Sequence, residues 1–503
     1  MNSLSYIDIM IMLVLTISVT YLGHKLSGTI RSRNSFFNAS GSMPWWAVSA
    51  SIVATVVSSV TFISVPAAVF KDGGNITYIQ IILGLMLGKI VTASMFARPY
   101  YESIGIKTTY DYIGERMDNY VKYISMGVGL LLTTLNAAIK LLTTALVLSV
   151  ITSWSLSICT GVIVLFSILW SWLAGLKTVI WTDFILFIIF SIGAIFAMFW
   201  SFLGLDLSSA QIWSMLDQNA KLVLFDFSTD PQTTYTIWAG ICGSITLSLA
   251  LTTSQGTMQR IRACRSVSDA KKAYNYAALF YFVHFCIVGV GLALWVHYQV
   301  TPLPTEVETQ LLTEPDRIFP YFIMTEIPEG ISGIFIAAIF AAGISTLDSV
   351  ITEVADISVN NVYEPFINPN ASEKHYLLVS KLSLFAWGVI FYFITMFLSK
   401  YQAEGLLNLT FKLPSYLFGM LFGTAILARY KIGSIKSYIP GFIVACCSVW
   451  LMTFYSIGFF WWCPISGLLM IVTTVAIEKL RGEFDPEMSG IVLTNDNANQ
   501  IKS

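Results

Sequence analysis

Apolar stretches long enough to cross the hydrocarbon core as helices, about 20 residues each, recur along almost the whole chain. Thirteen predicted spans lie at 6–26, 45–70, 76–97, 122–150, 155–175, 180–204, 234–255, 273–298, 329–356, 376–399, 404–428, 437–458 and 459–478. Polar residues break this pattern in three places. The second span reads ASIVATVVSSVTFISVPAA, with Ser58, Ser59, Thr61 and Ser64 among β-branched residues, and Pro66 is expected to interrupt the helical ladder. The seventh carries SLALTTSQG at 248–256, and the ninth carries AAGISTLDS at 341–349. Corresponding interruptions in two halves of a membrane chain suggest inverted repeats, with unwound carbonyls at mid-membrane.

The AAGISTLDS segment gathers hard oxygen ligands. Ser345 and Ser349 stand one turn apart, Asp348 lies beside both, and Thr346 opens toward the carbonyl of Ala342. Hydroxyls alone serve helix packing or bond their own backbone equally well. A carboxylate at membrane depth shifts the reading toward a site, and a set of oxygens suits a hard cation such as sodium. Asp183, just after Trp181 and Thr182, is placed either to complete that shell or to cap a helix start. Lys140 shares a face with Asn136 and Thr144, and is expected to meet an anionic solute or to neutralise a buried acid, with the ion pair preferred. Lys89 and Lys412 are expected to snorkel, and Glu353 and Asp356 to sit at the end of their helix.

Composition agrees with the periodicity: 56% of residues are apolar and 11% charged, so this is an all-α polytopic membrane protein. Basic residues divide by side. With the N-terminus outside, Arg31, Arg33, Lys107, Arg260, Arg262, Arg265, Lys271 and Lys272 fall on one face, the cytoplasmic one, while loops 205–233 and 299–328 are mainly acidic. The C-terminus is then cytoplasmic, in a cell membrane. No basic residue precedes the first span and no small-residue cleavage site follows it, which predicts a retained helix. The seven cysteines show no metal or disulfide spacing. No nucleic-acid partner or obligatory protein partner is expected; the lipid bilayer and a small solute are.

Four motifs in order, RNSFFNASGSMPWWAVSASIVAT, GLKTVIWTDFIL, TSQGTMQR and GIFIAAIFAAGISTLDS, resemble the sodium:solute symporter family over about residues 5–480, most nearly its sialic acid branch. The resemblance implies a leucine-transporter-like fold: a first helix and link (1–44), inverted five-helix repeats at 45–204 and 234–428 and two C-terminal helices (437–480); the tail at 482–503, rich in Asn, Asp and Ser, is expected to be disordered. It further implies a sodium site of the carbonyls of Ala54, Val57 and Ala342 with the hydroxyls of Ser345 and Thr346. A second, optional site matches Asp183, Ser345, Asp348 and Ser349. Ser58 and Thr61 look like solute contacts, with Gln80 as a further candidate. Where the branch has a carboxylate-clamping arginine, this chain has Asn136, with Lys140 a turn further on. The function implied is sodium-coupled import of a sugar, sialic acid-like or other carboxylate compound by alternating access. A proton-coupled carrier and a non-transporting sensor or leak channel are the alternatives; no nucleophile, base or activated metal suggests an enzyme.

Overall fold

The computed structural model describes residues 5–27, 39–103, 105–173, 175–400 and 406–484; the start of the first motif and the tail beyond 484 lie outside them. The described residues fold almost entirely as helices. The principal ones are α1 (Tyr6–Ser27), α2 (Trp45–Ala54), α3 (Ser59–Phe70), α4 (Tyr78–Met95), α5 (Asn119–Thr152), α6 (Leu156–Leu173), α7 (Leu176–Trp200) and α8 (Ile237–Ala250). They continue with α9 (Gln255–Ala263), α10 (Val267–Phe280), α11 (Val283–Val300), α12 (Ile331–Ser358), α13 (Glu373–Leu398), α14 (Leu406–Arg429), α15 (Ile435–Phe454) and α16 (Trp462–Leu480). Among the described residues, ten helical stretches have the length and apolarity to cross a membrane, α10 and α11 together forming one of them. Two bent pairs bring this to twelve, and the shorter α6 occupies the fifth expected position.

Both breaks expected from sequence are present. The α2–α3 pair bends by 54°, and the pair joining Ile237–Thr253 to α9 bends by 78°. The first break is not at Pro66, which lies inside α3. It lies at Thr55–Ser58, between two clusters of small and β-branched residues. Pro66 packs against α11, where a Cβ on Gly291 would meet the Pro66 carbonyl at 2.8 Å, so a neighbouring helix accommodates the proline.

Close packing holds the two halves together. Gly84 and Gly88, one turn apart on α4, press on α8: a Cβ at Gly84 would meet the Ile241 carbonyl at 2.8 Å, and one at Gly88 would meet Ser248 Cβ at 2.4 Å. Small residues at this spacing let membrane helices approach where no hydrophobic effect drives them together. Gly343 does the same between α12 and Thr144 of α5, at 2.2 Å.

Helix ends are satisfied from distant elements. Asp8 Oδ1 accepts from the backbone N–H groups of Gly330 (2.8 Å) and Gly333 (2.9 Å) and from Ser332 Oγ, capping α12 from α1. Glu478 of α16 likewise accepts from the Ser434 N–H at the start of α15. Lys221 Nζ donates to the carbonyls of Val69 (2.9 Å), Phe70 (3.2 Å) and Lys71 (2.8 Å), closing the far end of α3 from the acidic loop. Burial lowers its pKa to about 8.

Candidate functional site

The break between α2 and α3 frees backbone oxygens in the middle of the bundle. Two of them are used: Lys140 Nζ donates to the Thr55 carbonyl at 2.8 Å, and Thr61 Oγ1 donates to that of Val56 at 3.0 Å. The Ser58 N–H also turns back to Val56 at 2.9 Å. The carbonyls of Ala54 and Val57 accept no hydrogen bond among the described residues, although both residues are buried. A buried carbonyl rarely goes unpaired.

The ninth-span hydroxyls face this break. Ser345 Oγ donates to Asp183 Oδ1 at 2.5 Å, and Ser51 Oγ of α2 donates to Asp183 Oδ2 at 2.6 Å. Asp183 therefore joins α2, α7 and α12. Because Ser345 spends its proton on the carboxylate, its lone pairs remain available. Thr346 is 5% exposed, and its hydroxyl makes no hydrogen bond among the described residues, not even to the Ala342 carbonyl.

Arg260 was expected on the cytoplasmic face. The 78° bend instead carries α9 back into the bundle. Its guanidinium lies 3.6 Å from Asp183 Oδ2 and donates to Ser51 Oγ (3.1 Å), Thr55 Oγ1 (2.7 Å) and Ser349 Oγ (3.2 Å). The charge of Asp183 is thus already balanced by a resident cation. The polar run at 248–256 signals the bend, but nothing in the local sequence says that the bend turns Arg260 toward Asp183.

The four residues proposed for a second cation site are only partly together. Asp183 and Ser345 touch, and Ser349 joins them through Arg260. Asp348 turns to α6, where its carboxylate accepts from Ser171 Oγ. Three residues along a helix place Asp348 about 60° from Ser345, on the opposite side from Ser349, and at that edge of the face Ser171 of α6 is its neighbour. The ion pair expected between Lys140 and a buried acid such as Asp348 is also absent among the described residues; Lys140 caps the Thr55 carbonyl instead.

Beside the cluster lies a central cavity of about 180 Å³. Ser58, Thr61, Asn136 and Lys140 line it. Gln80 does not: its Nε2 donates to the Tyr235 carbonyl at 3.1 Å and its Oε1 accepts from the Asp226 N–H at 3.2 Å, tying α4 to the acidic loop. Tyr78, half a turn earlier, takes its place in the lining. Lys89 and Glu353, both expected at helix ends, face the cavity and are buried. Glu353 accepts from Ser254 Oγ at 2.8 Å, in the second break. Asp356 is held deeper by Gln255 Nε2 at 2.7 Å. A larger cavity of about 650 Å³ at the acidic-loop end shares Tyr78 and Leu407 with the central one. At its rim burial raises the pKa of Asp316, which accepts from the Leu406 N–H at 3.2 Å.

The profile of the sodium:solute symporter family matches residues 36–433. The chain belongs to that family. Sodium-coupled monocarboxylate transporter 2 of Bos taurus is 27% identical over 362 residues, which are 69% of this chain and 56% of that transporter. The sodium/sialic acid symporter of Aliivibrio fischeri is 28% identical over 349 residues, 68% of this chain and 67% of that one. The chain thus spans little more than half the length of the first of these relatives. A solved structure of a substrate-bound, outward-open, sodium-coupled sialic acid symporter superposes with a TM-score of 0.83 at 23% identity, covering 95% of this chain and 98% of that one. The fold of this family member is therefore leucine-transporter-like, and the protein is an integral membrane protein.

Proposed function

We propose that this family member is a sodium-coupled symporter that imports a small organic solute by alternating access. The observation that carries the reading is that the buried carbonyls of Ala54 and Val57 and the Thr346 hydroxyl all lack a hydrogen-bond partner among the described residues, on two helices that Asp183 ties together. Spans two and nine run in opposite directions and are pinned together through Ser51, Asp183 and Ser345. One turn on along α2 and one turn back along α12 bring Ala54 and Ala342 to a common level. The carbonyls of Ala54, Val57 and Ala342 with the hydroxyls of Ser345 and Thr346 then form an all-oxygen shell suited to sodium. Sodium there would fix the broken helix against α12 and raise solute affinity in the central cavity, and solute would raise sodium affinity by the same factor.

Inward sodium movement supplies about 2.3 kcal/mol per charge for each 100 mV, before any concentration gradient. The repeats 45–204 and 234–428 would rock about the site, with the N-terminus outside, the C-terminus in the cytoplasm and the chain in the cell membrane. Replacing Ser345 and Thr346 with alanine tests the site. The sodium concentration for half-maximal uptake should rise by about tenfold or more, as loss of two ligands predicts; an unchanged value would exclude these hydroxyls.

One observation supports a second reading. Asp348 is buried and has no basic group within ion-pair distance among the described residues. A carboxylate so placed is stable when protonated or when a mobile cation joins it. A proton would then travel with the solute. Uptake at fixed pH with sodium replaced by potassium separates the two.

A further inference from the structure

Most cations drawn into the bundle have a partner. Lys140 has the Thr55 carbonyl, Arg260 has Asp183, and Lys221 has three carbonyls at the end of α3. Lys89 has none: it is 6% exposed, lines the central cavity, and makes no hydrogen bond, ion pair or ring contact among the described residues. It cannot easily turn away. Its neighbour Gly88 is pressed against Ser248, which fixes the face of α4, and Tyr78, Leu85 and Lys89 form one stripe of that helix along the cavity. A buried ammonium without an acceptor is costly, so a group this constrained is better explained by a ligand that supplies the acceptor.

The surroundings narrow the ligand. Lysine offers a point charge where arginine would offer a fork, which suits one carboxylate held end-on. Tyr281 lines the same cavity, and its buried hydroxyl has no hydrogen-bond partner among the described residues, leaving a second donor free. Glu353 also faces the cavity, and its charge would repel a second carboxylate on the solute. Much of the remaining wall is apolar, including Leu132, Leu247, Phe411 and Phe418, and offers little to a polyhydroxylated sugar. At about 180 Å³ the space is compact.

We propose that Lys89 is the anion anchor of the central cavity, and that the solute is a monocarboxylate with a compact apolar body. Its carboxylate binds Lys89 Nζ and the Tyr281 hydroxyl, and its hydrocarbon part packs on the leucine and phenylalanine wall. This rests on the reading of the cavity as the transport site.

The test uses the purified full chain in detergent and sodium chloride, with butyrate and benzoate as probes and butyramide and benzamide as their neutral counterparts. The acids should raise Tm in a saturable way and the amides should not. Lys89→Met should weaken the acid response by about tenfold or more, the scale of a lost charged hydrogen bond, while Lys89→Arg retains most of it. Gel filtration and the ligand-free Tm check that Lys89→Met is folded. If it is not, Tyr281→Phe serves instead, with a several-fold weaker response to the acids. Amides as effective as acids, neither acid shifting Tm, or variants responding at the parent half-saturation would each overturn the proposal. Repeating the titration in potassium keeps the two claims apart. An equal acid response in potassium would remove sodium coupling while leaving Lys89 in place, whereas a sodium-dependent response to the amides would do the reverse.

Discussion

Asp183 is the residue on which the site turns, because it binds hydroxyls from two helices and a guanidinium from a third. Removing its partner leaves a buried charge uncompensated. Arg260→Met should therefore cost about 3–5 kcal/mol of stability, and Asp183→Asn added to it should recover part of that loss. Thermal denaturation of the single and double variants checks the coupling; strictly additive losses would mean that the 3.6 Å pair is incidental. Asp348 belongs to a different neighbourhood. Since it faces Ser171 rather than the Asp183 cluster, Asp348→Ser should leave the sodium midpoint of uptake within about threefold of the parent, the limit for sites without shared partners. A larger shift would place that carboxylate in the sodium shell. The sequence made the oxygens of 341–349 conspicuous, but a linear string does not say which neighbour each face meets. Lys89 and Arg260 were harder still. A lysine in an apolar span resembles a snorkelling end residue, and an arginine beside a basic loop resembles a cytoplasmic charge, until helix bends and glycine contacts place them.

Among the elements, the two bent pairs were legible because runs of serine, threonine and small residues interrupt otherwise continuous apolar spans. Their position was less so: proline draws attention, yet a neighbouring glycine lets α3 continue through Pro66, and the ladder opens at Thr55–Ser58. The α4–α8 contact sets the orientation of the cavity face. Gly88→Val should overpack it at a cost of about 1–3 kcal/mol, read as a lower Tm, while Gly127→Ala, where no atom lies within 4 Å, should be tolerated. Caps supplied from afar are a second element-scale device. Loss of the Asp8 carboxylate in Asp8→Ala leaves two N–H groups at the start of α12 without their acceptor, and should lower stability by about 1 kcal/mol. An unchanged Tm would show that water replaces the cap. Such long-range caps have no local sequence signature, since Asp8 and Gly330 are joined only by the fold.

At the scale of the whole molecule, a bundle with two broken spans holds the residues of the proposed oxygen shell, a balanced acid and a small cavity. Fold class and family were legible in the repeated spans and four motifs, and the superposition on a sialic acid symporter agrees with them. The activity remains a matter of coupling. Its most direct measurement is the current and uptake of purified protein in proteoliposomes at fixed pH, driven by an inward sodium gradient, against a panel of monocarboxylates, sugars and amino acids. The account predicts that at least one monocarboxylate gives concentrative uptake and inward current, and that both vanish when potassium replaces sodium. Concentrative uptake of equal size in potassium would contradict it.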